Sequence, residues 1–223
     1  MLQENESRQR WIRVIGLLGL IGFALIVTAA VILPFWTGIH TNDAAESFAR
    51  YARDQQNRIL VAMFLYSLAF GLFLVLSGVV WIEIRRANSA TDWVGAVFGI
   101  AAAAMSTMIL VAFVPACVSA YRSHSPEISR MLFDLSFGAL AFSGIPTAVC
   151  MAAYAVATLC FTTLPRWTGW VAAMGAIPHL VIAGSFLVKD GFFSLEGDVI
   201  LWVPVTLFGW ILAASTALLS PKN

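Results

Sequence analysis

Charge is what this sequence has least of. Only 11% of its 223 residues are Asp, Glu, Lys or Arg, while 60% are hydrophobic and mean hydropathy is +0.86. A soluble domain carries about 25% charged residues to stay wet, so most of this chain's surface does not meet water. The formal net charge of +1 supplies neither a basic field for nucleic acid nor an acidic one for cations. Cysteine is equally scarce. Cys117, Cys150 and Cys160 stand in or beside apolar runs without C-x-x-C spacing, so each reads as a small hydrophobe rather than part of a disulfide framework or zinc site. No G-x-S-x-G, H-x-H or H-E-x-x-H spacing occurs. Both lysines, Lys189 and Lys222, lie at the ends of apolar runs rather than within them. The expectation is therefore no catalytic set, no resident metal and no cofactor.

What is present is a series of charge-free runs. They lie between Arg13 and Asp43, Arg58 and Glu83, Asp92 and Arg122, Asp134 and Arg166, Arg166 and Lys189, and Asp198 and Lys222. Each is at least about 20 residues, enough to cross a ~30 Å hydrocarbon core at 1.5 Å per residue. Helices satisfy their own backbone where no water is available. A β-barrel would need short alternating strands, and runs such as Leu74-Val75-Leu76 or Ala101 to Ala104 do not alternate. The fold class is thus all-α, a single polytopic bundle of six transmembrane helices. The spans are predicted at about 12–36, 59–82, 93–117, 132–162, 167–188 and 199–219. The polar N-terminus, MLQENESRQRW, lacks a short signal-type apolar core with a small-residue cleavage site. The first span therefore reads as a retained anchor.

Six spans place both termini on one side. With that side inside, Arg8, Arg10, Arg13, Arg85, Arg86, Arg166 and Lys222 face inward, against Arg50, Arg53, Arg58, Arg122, Arg130 and Lys189 outside. The bias, and the three arginines ahead of the first span, favour cytoplasmic termini. Trp11, Trp81, Trp93, Trp167 and Trp170 fall at the inner interface, with Trp36 and Trp202 at the outer one, as the amphipathic indole prefers. Trp210 falls deep in the sixth span.

The stretch of about 43–57 predicts a short amphipathic outer helix. Asp43 and Glu46 have the form of an N-terminal cap, opposite charges recur at i, i+4 (Glu46–Arg50, Arg50–Asp54, Asp54–Arg58), and Phe48, Tyr51 and Ala52 form an apolar stripe. Pro115, Pro146, Pro178 and Pro204 interrupt spans three to six and predict kinks. Gly16, Gly19 and Gly22, and Gly95-x-x-x-Gly99-x-x-x-Ala103, form small-residue faces for close packing within the chain or between copies.

Polar groups at membrane depth are functional candidates because they are costly there. His179, near the middle of span five, reads as a proton acceptor or ligand contact, or as an imidazole satisfied by a neighbouring carbonyl. Asp134, at the start of span four with Arg130 four residues earlier, reads as a helix-terminus acid or as part of an outward cleft with Arg58, Lys189 and Asp190. His179, Asp134 and Trp210 are the candidate ligand-binding residues. Any ligand is expected between spans four, five and six, near Pro146, His179 and Trp210.

Leu164-Pro165-Arg166-Trp167-Thr168-Gly169-Trp170 resembles the inner-loop signature L-P-R-W-x-G-W of small, uncharacterised six-span membrane proteins, many of them actinobacterial. Asp43-Ala44-Ala45 through Asn57-Arg58-Ile59-Leu60, Asp134-Leu135-Ser136 and Asp190-Gly191-Phe192-Phe193 fit the same group. The resemblance implies topology and a bacterial plasma membrane, and no activity. The functional expectation is a non-enzymatic binder of a small apolar or lipid-like ligand, or an accessory subunit of a membrane complex. A membrane-embedded enzyme or isomerase using His179 or Asp134, and a small oligomeric transporter, are the alternatives. Its partners would be membrane lipids, and a second copy or a membrane subunit.

Overall fold

A computed structural model of the protein describes residues 2–33, 39–87, 89–122, 124–188, 191–195 and 197–220. It is all-α. The helices are α1 (Leu2–Ile32), α2 (Ala45–Asp54), α3 (Gln56–Ala87), α4 (Asp92–Tyr121), α5 (Pro126–Phe142), α6 (Gly144–Phe161), α7 (Arg166–Ala183) and α8 (Val199–Leu219), with single 3₁₀ turns before α4 and after α7. Six stretches are long and apolar enough to cross a membrane: Ser7–Ile32, Gln56–Ala87, Asp92–Tyr121, Pro126–Phe161, Arg166–Leu187 and Trp202–Leu219. The chain is a polytopic membrane protein. Trp36, Lys189, Asp190 and Lys222 lie outside the described residues.

The spans run up and down, and each packs on the next: α1 on α3, α3 on α4, α4 on α5 and α6, α6 on α7, α7 on α8. Helix α8 then returns to α1 and closes a ring. Lipid tails are as apolar as leucine, so association between spans rests on close packing rather than burial from water. The glycines show this packing directly. A Cβ at Gly16 would lie 3.0 Å from the Ser215 carbonyl oxygen, and one at Gly22 3.4 Å from that of Ala69, so α1 uses its small-residue face against α8 and α3. On α4 the Gly95–Gly99 face is covered by the Trp81 indole, which would meet a Cβ at 3.1 Å from either position. Gly16, Gly19, Gly22, Gly95 and Gly99 thus pack inside the monomer, while Ala103 of the second face is exposed.

One end of the ring gathers the termini, the α3–α4 turn and the start of α7. Thr91 Oγ1 donates to Ile84 O at 2.6 Å and Arg85 Nε meets Asp92 at 3.0 Å, closing the turn. Tyr154 and Thr168 hydroxyls pair at 2.9 Å across α6 and α7, fixing the loop that carries Leu164 to Trp170. Trp11, Trp93, Trp167 and Trp170 stand exposed at this end. Here also Arg8 on α1 donates to Glu83 on α3, whose side chain is buried. Removing the guanidinium withdraws a charged donor from a buried carboxylate, which costs about 1–3 kcal/mol. Arg8→Ala is therefore expected to lower stability by that amount in denaturant titrations. Arg10→Ala, an exposed neighbour, is expected to stay within about 0.5 kcal/mol of the parent.

At the opposite end α2 packs on the first half of α5. Phe48 and Tyr51 face Phe133 with ring centroids 5.7 and 6.0 Å apart. Burial pushes the Tyr51 phenol up to about 12, so it stays neutral. The helix lies within the predicted stretch, but Asp43 does not cap it. Ala44 occupies the N-cap without a side-chain bond, while the Asp43 carboxylate accepts from the His40 amide at 2.9 Å inside the preceding turn. No i, i+4 pair of α2 closes to ion-pair distance among the described residues. Its apolar stripe, not its charges, decides where it lies.

The fourth span differs most from its sequence reading. Its helix starts at Pro126, where Ser125 caps by accepting from the Ile128 amide at 3.4 Å, not near Asp134. Its break falls at Ser143, one residue before α6 begins. Ser143 keeps helical backbone angles, and the Ser143 amide bonds Ala139 O while the Thr147 amide bonds Ser143 O, so Pro146 interrupts one continuous span mid-way and its missing amide accounts for the gap. Pro115, Pro178 and Pro204 likewise lie inside their helices.

Candidate functional site

The axis of the ring is filled by aromatic side chains. Trp210, 1% exposed, stands nearly edge-on to Tyr154 at 5.2 Å, Phe73 at 5.9 Å and Phe98 at 6.3 Å. T-shaped contacts at such separations set the positive edge of one ring against the negative face of another. Phe73 continues to Phe70 at 6.3 Å, and Phe70 to Phe113 at the same separation. This column closes the half of the ring nearer the termini. Trp210 is thus a packing residue at the floor, its indole N–H without a hydrogen-bond partner among the described residues.

Above the column lies a cavity of about 50 Å³ between α3, α4, the α5–α6 junction, α7 and α8. Its walls are mostly apolar, including Met63, Phe113, Ile182, Val203 and Leu207. Four residues with polar side chains line it: Tyr66, Ser143, Thr147 and His179. Two of these are committed elsewhere, since Ser143 Oγ donates to Leu140 O at 2.6 Å and Thr147 Oγ1 to Ser143 O at 2.7 Å. Those bonds take up carbonyls beside the helix break.

His179 and Tyr66 are different. His179 is 5% exposed and its Nδ1–H donates to the Gly175 carbonyl at 2.8 Å, one turn earlier on α7. The Thr206 hydroxyl lies 3.5 Å from the same nitrogen. A proton on Nδ1 leaves Nε2 as a lone-pair acceptor, without a partner among the described residues. Tyr66, 2% exposed, has a buried hydroxyl that likewise finds no partner there. One acceptor and one donor are therefore left over on the walls of one cavity. Buried polar groups are nearly always satisfied; the Tyr66 hydroxyl is one of several buried side-chain groups without a partner among the described residues, and it stands on a wall shared with His179.

The helix break places the imidazole. A Cβ at Gly144 would fall 2.7 Å from Ile182 Cγ2 and closer still to the His179 carbonyl oxygen. Only glycine lets α6 meet α7 at that point.

The three sequence candidates are not brought together. His179 lines the cavity; Trp210 lies below it in the aromatic column; Asp134 sits within α5, 3.7 Å from Arg130. Arg130 also donates to the Thr41 carbonyl at 3.2 Å, so it ties α5 to the segment before α2. The first-turn acid of that helix is Glu127 instead. Sequence reasoning passed over Tyr66, Ser143 and Thr147. Tyr66 had a usable signal, a phenol in the middle of a charge-free run. The two hydroxyls had none beyond their place beside Gly144 and Pro146.

No protein-family model, curated protein or solved structure matches the chain. The fold and the cavity are what remain to reason from.

Proposed function

We propose that the protein is a membrane receptor or carrier for a small neutral molecule, mostly apolar, bound by its polar end in the axial cavity. What supports this reading is that the unpartnered Tyr66 hydroxyl and the His179 ring, whose Nδ1–H is spent on the Gly175 carbonyl, line one mostly apolar cavity. A hydroxyl group answers both, donating to Nε2 and accepting from the phenol. Size sharpens the expectation of a lipid-like ligand. At about 10–15 Å³ per water, a 50 Å³ space holds about four waters, so it takes a head of a few atoms and not a whole lipid.

Catalysis has less support. Among the described residues the cavity is lined by one imidazole and one phenol, His179 and Tyr66, with no carboxylate, lysine or cysteine, and both aliphatic hydroxyls are engaged with carbonyls. General acid–base work needs a second group of matched acidity. We place the termini in the cytoplasm on the arginine bias, and the chain in a bacterial plasma membrane on the L-P-R-W-type loop. Lipids are its expected surroundings, and association with a second copy or a membrane subunit is compatible with the reading.

The probe is 1-propanol, a hydroxyl on a short apolar tail, titrated into protein in nanodiscs. Weak saturable binding is expected, reduced about five- to tenfold in Tyr66→Phe and in His179→Leu, the worth of one buried hydrogen bond. Equal binding by parent and both variants would remove the cavity from consideration.

A further inference from the structure

A second concavity lies on the outside of the ring, between α3 and α4, near the end that carries α2. It measures about 590 Å³, more than ten times the axial cavity. Its walls are Leu60 and Ser67 from α3 and Leu110, Val114 and Cys117 from α4, with Phe113 at its deep side. Ser67 donates its hydroxyl to Met63 O at 2.7 Å, so that wall is effectively apolar.

The mouth is different in kind. Tyr121, the last residue of α4, Arg122 and His124 line it. Arg122 is exposed and has no carboxylate partner among the described residues, and no acid lines the groove. His124 is held by its Nε2–H bond to the Val118 carbonyl at 3.3 Å. An apolar trough running along two spans and ending on an unpaired guanidinium and an imidazole has the shape and charge order of an anionic lipid. A guanidinium meets phosphate oxygens in fork geometry, which suits the headgroup of an anionic lipid.

We propose that the α3–α4 groove holds one anionic phospholipid, its phosphate at Arg122 beside His124 and one acyl chain along Leu60, Leu110 and Val114. The site is separate from the axial cavity, with which it shares only the Phe113 side chain as a wall. Its ligand is charged and takes its contacts from the bilayer side, so the two sites succeed or fail independently.

The test is native mass spectrometry of the full chain released from nanodiscs containing equal phosphatidylglycerol and phosphatidylcholine. One phosphatidylglycerol per chain is expected to be retained in preference to phosphatidylcholine, about fivefold or more. Arg122→Gln with His124→Gln is expected to abolish that preference. Val114→Trp, on an exposed side chain, fills the trough and is expected to lower retention of the whole lipid while Arg122 and His124 remain. Equal retention of the two lipids by the parent would overturn the proposal, as would a preference that survives the double variant. Displacement of the lipid by millimolar inorganic phosphate with Val114→Trp silent would also overturn it, because the site would then be a phosphate contact and not a lipid groove.

Discussion

Gly144→Val is expected to destabilise the protein by at least about 2–3 kcal/mol and to take cavity binding with it. The reason is local and backbone-made. Helices α6 and α7 approach where Gly144 faces the His179 carbonyl, and the first atom of any side chain would overlap that oxygen. A flexible side chain could swing away; a carbonyl inside a helix cannot without parting the two helices. Overpacking a well-filled site ordinarily costs about 1–3 kcal/mol and occasionally more, and this site sits where a span is broken. Because His179 is part of the surface that would be pushed, its imidazole should leave the cavity wall in the same variant. Gly71→Ala is the matched control, since a Cβ there meets nothing within 4 Å. Thermal melts in detergent, with propanol titration on whatever folds, measure both effects. A Gly144→Val protein that melts with the parent would mean the α6–α7 approach is looser than described.

The second large effect is expected at Trp210. Trp210→Ala removes the central ring of the axial column, and deleting a buried large aromatic typically costs about 3–5 kcal/mol. Three aromatic neighbours, Tyr154, Phe73 and Phe98, lose their shared partner at once, and the ring of spans cannot collapse onto the gap without bending its helices. Trp202→Ala supplies the contrast, because that indole is 64% exposed and belongs to the lipid or headgroup side. Its loss should change stability by about 0.5 kcal/mol or less. Denaturant titration separates the two. Equal costs would mean that Trp210 is no more central than an interfacial tryptophan.

How much of this was visible in the amino-acid order depends on what physics enforces locally. The six spans were legible because a hydrocarbon core tolerates neither charge nor unpaired backbone, and both leave marks in sequence. The amphipathic helix was legible from Phe48, Tyr51 and Ala52 for a related reason: one face had to be buried. Its cap was not, because Asp43 has the residue type of a cap and a nearer donor, the His40 amide, takes its carboxylate. The closure of α8 on α1 has no local signal at all. It depends on Gly16 and Gly19 finding Ser215 and Leu219, some two hundred residues away. The same holds for the cavity. His179 could be singled out as a lone imidazole at depth, but its company of Tyr66, Ser143 and Thr147 comes from two other stretches of the chain, α3 and the α5–α6 junction. Asp134 and Trp210, equally conspicuous in sequence, turned out to sit in an ion pair with Arg130 and in the packing column.

The loop from Leu164 to Trp170 shows the limit from the other side. Its residues form a tight turn with Pro165 at the N-cap of α7 and Trp167 and Trp170 exposed beside Arg166, which explains it as an interfacial corner. That explanation concerns anchoring, and it says nothing of what the protein binds.

The account turns on His179 Nε2 being an open acceptor inside the axial cavity. The chain has only three histidines, His40, His124 and His179, so a ¹⁵N spectrum of histidine-labelled protein in nanodiscs holds few signals, and His179→Leu assigns the one that matters. The account predicts a neutral ring protonated at Nδ1, with an Nε2 signal that moves on adding 1-propanol while those of His40 and His124 stay in place. A proton already on Nε2, or an Nε2 signal that propanol leaves where it was, would contradict it.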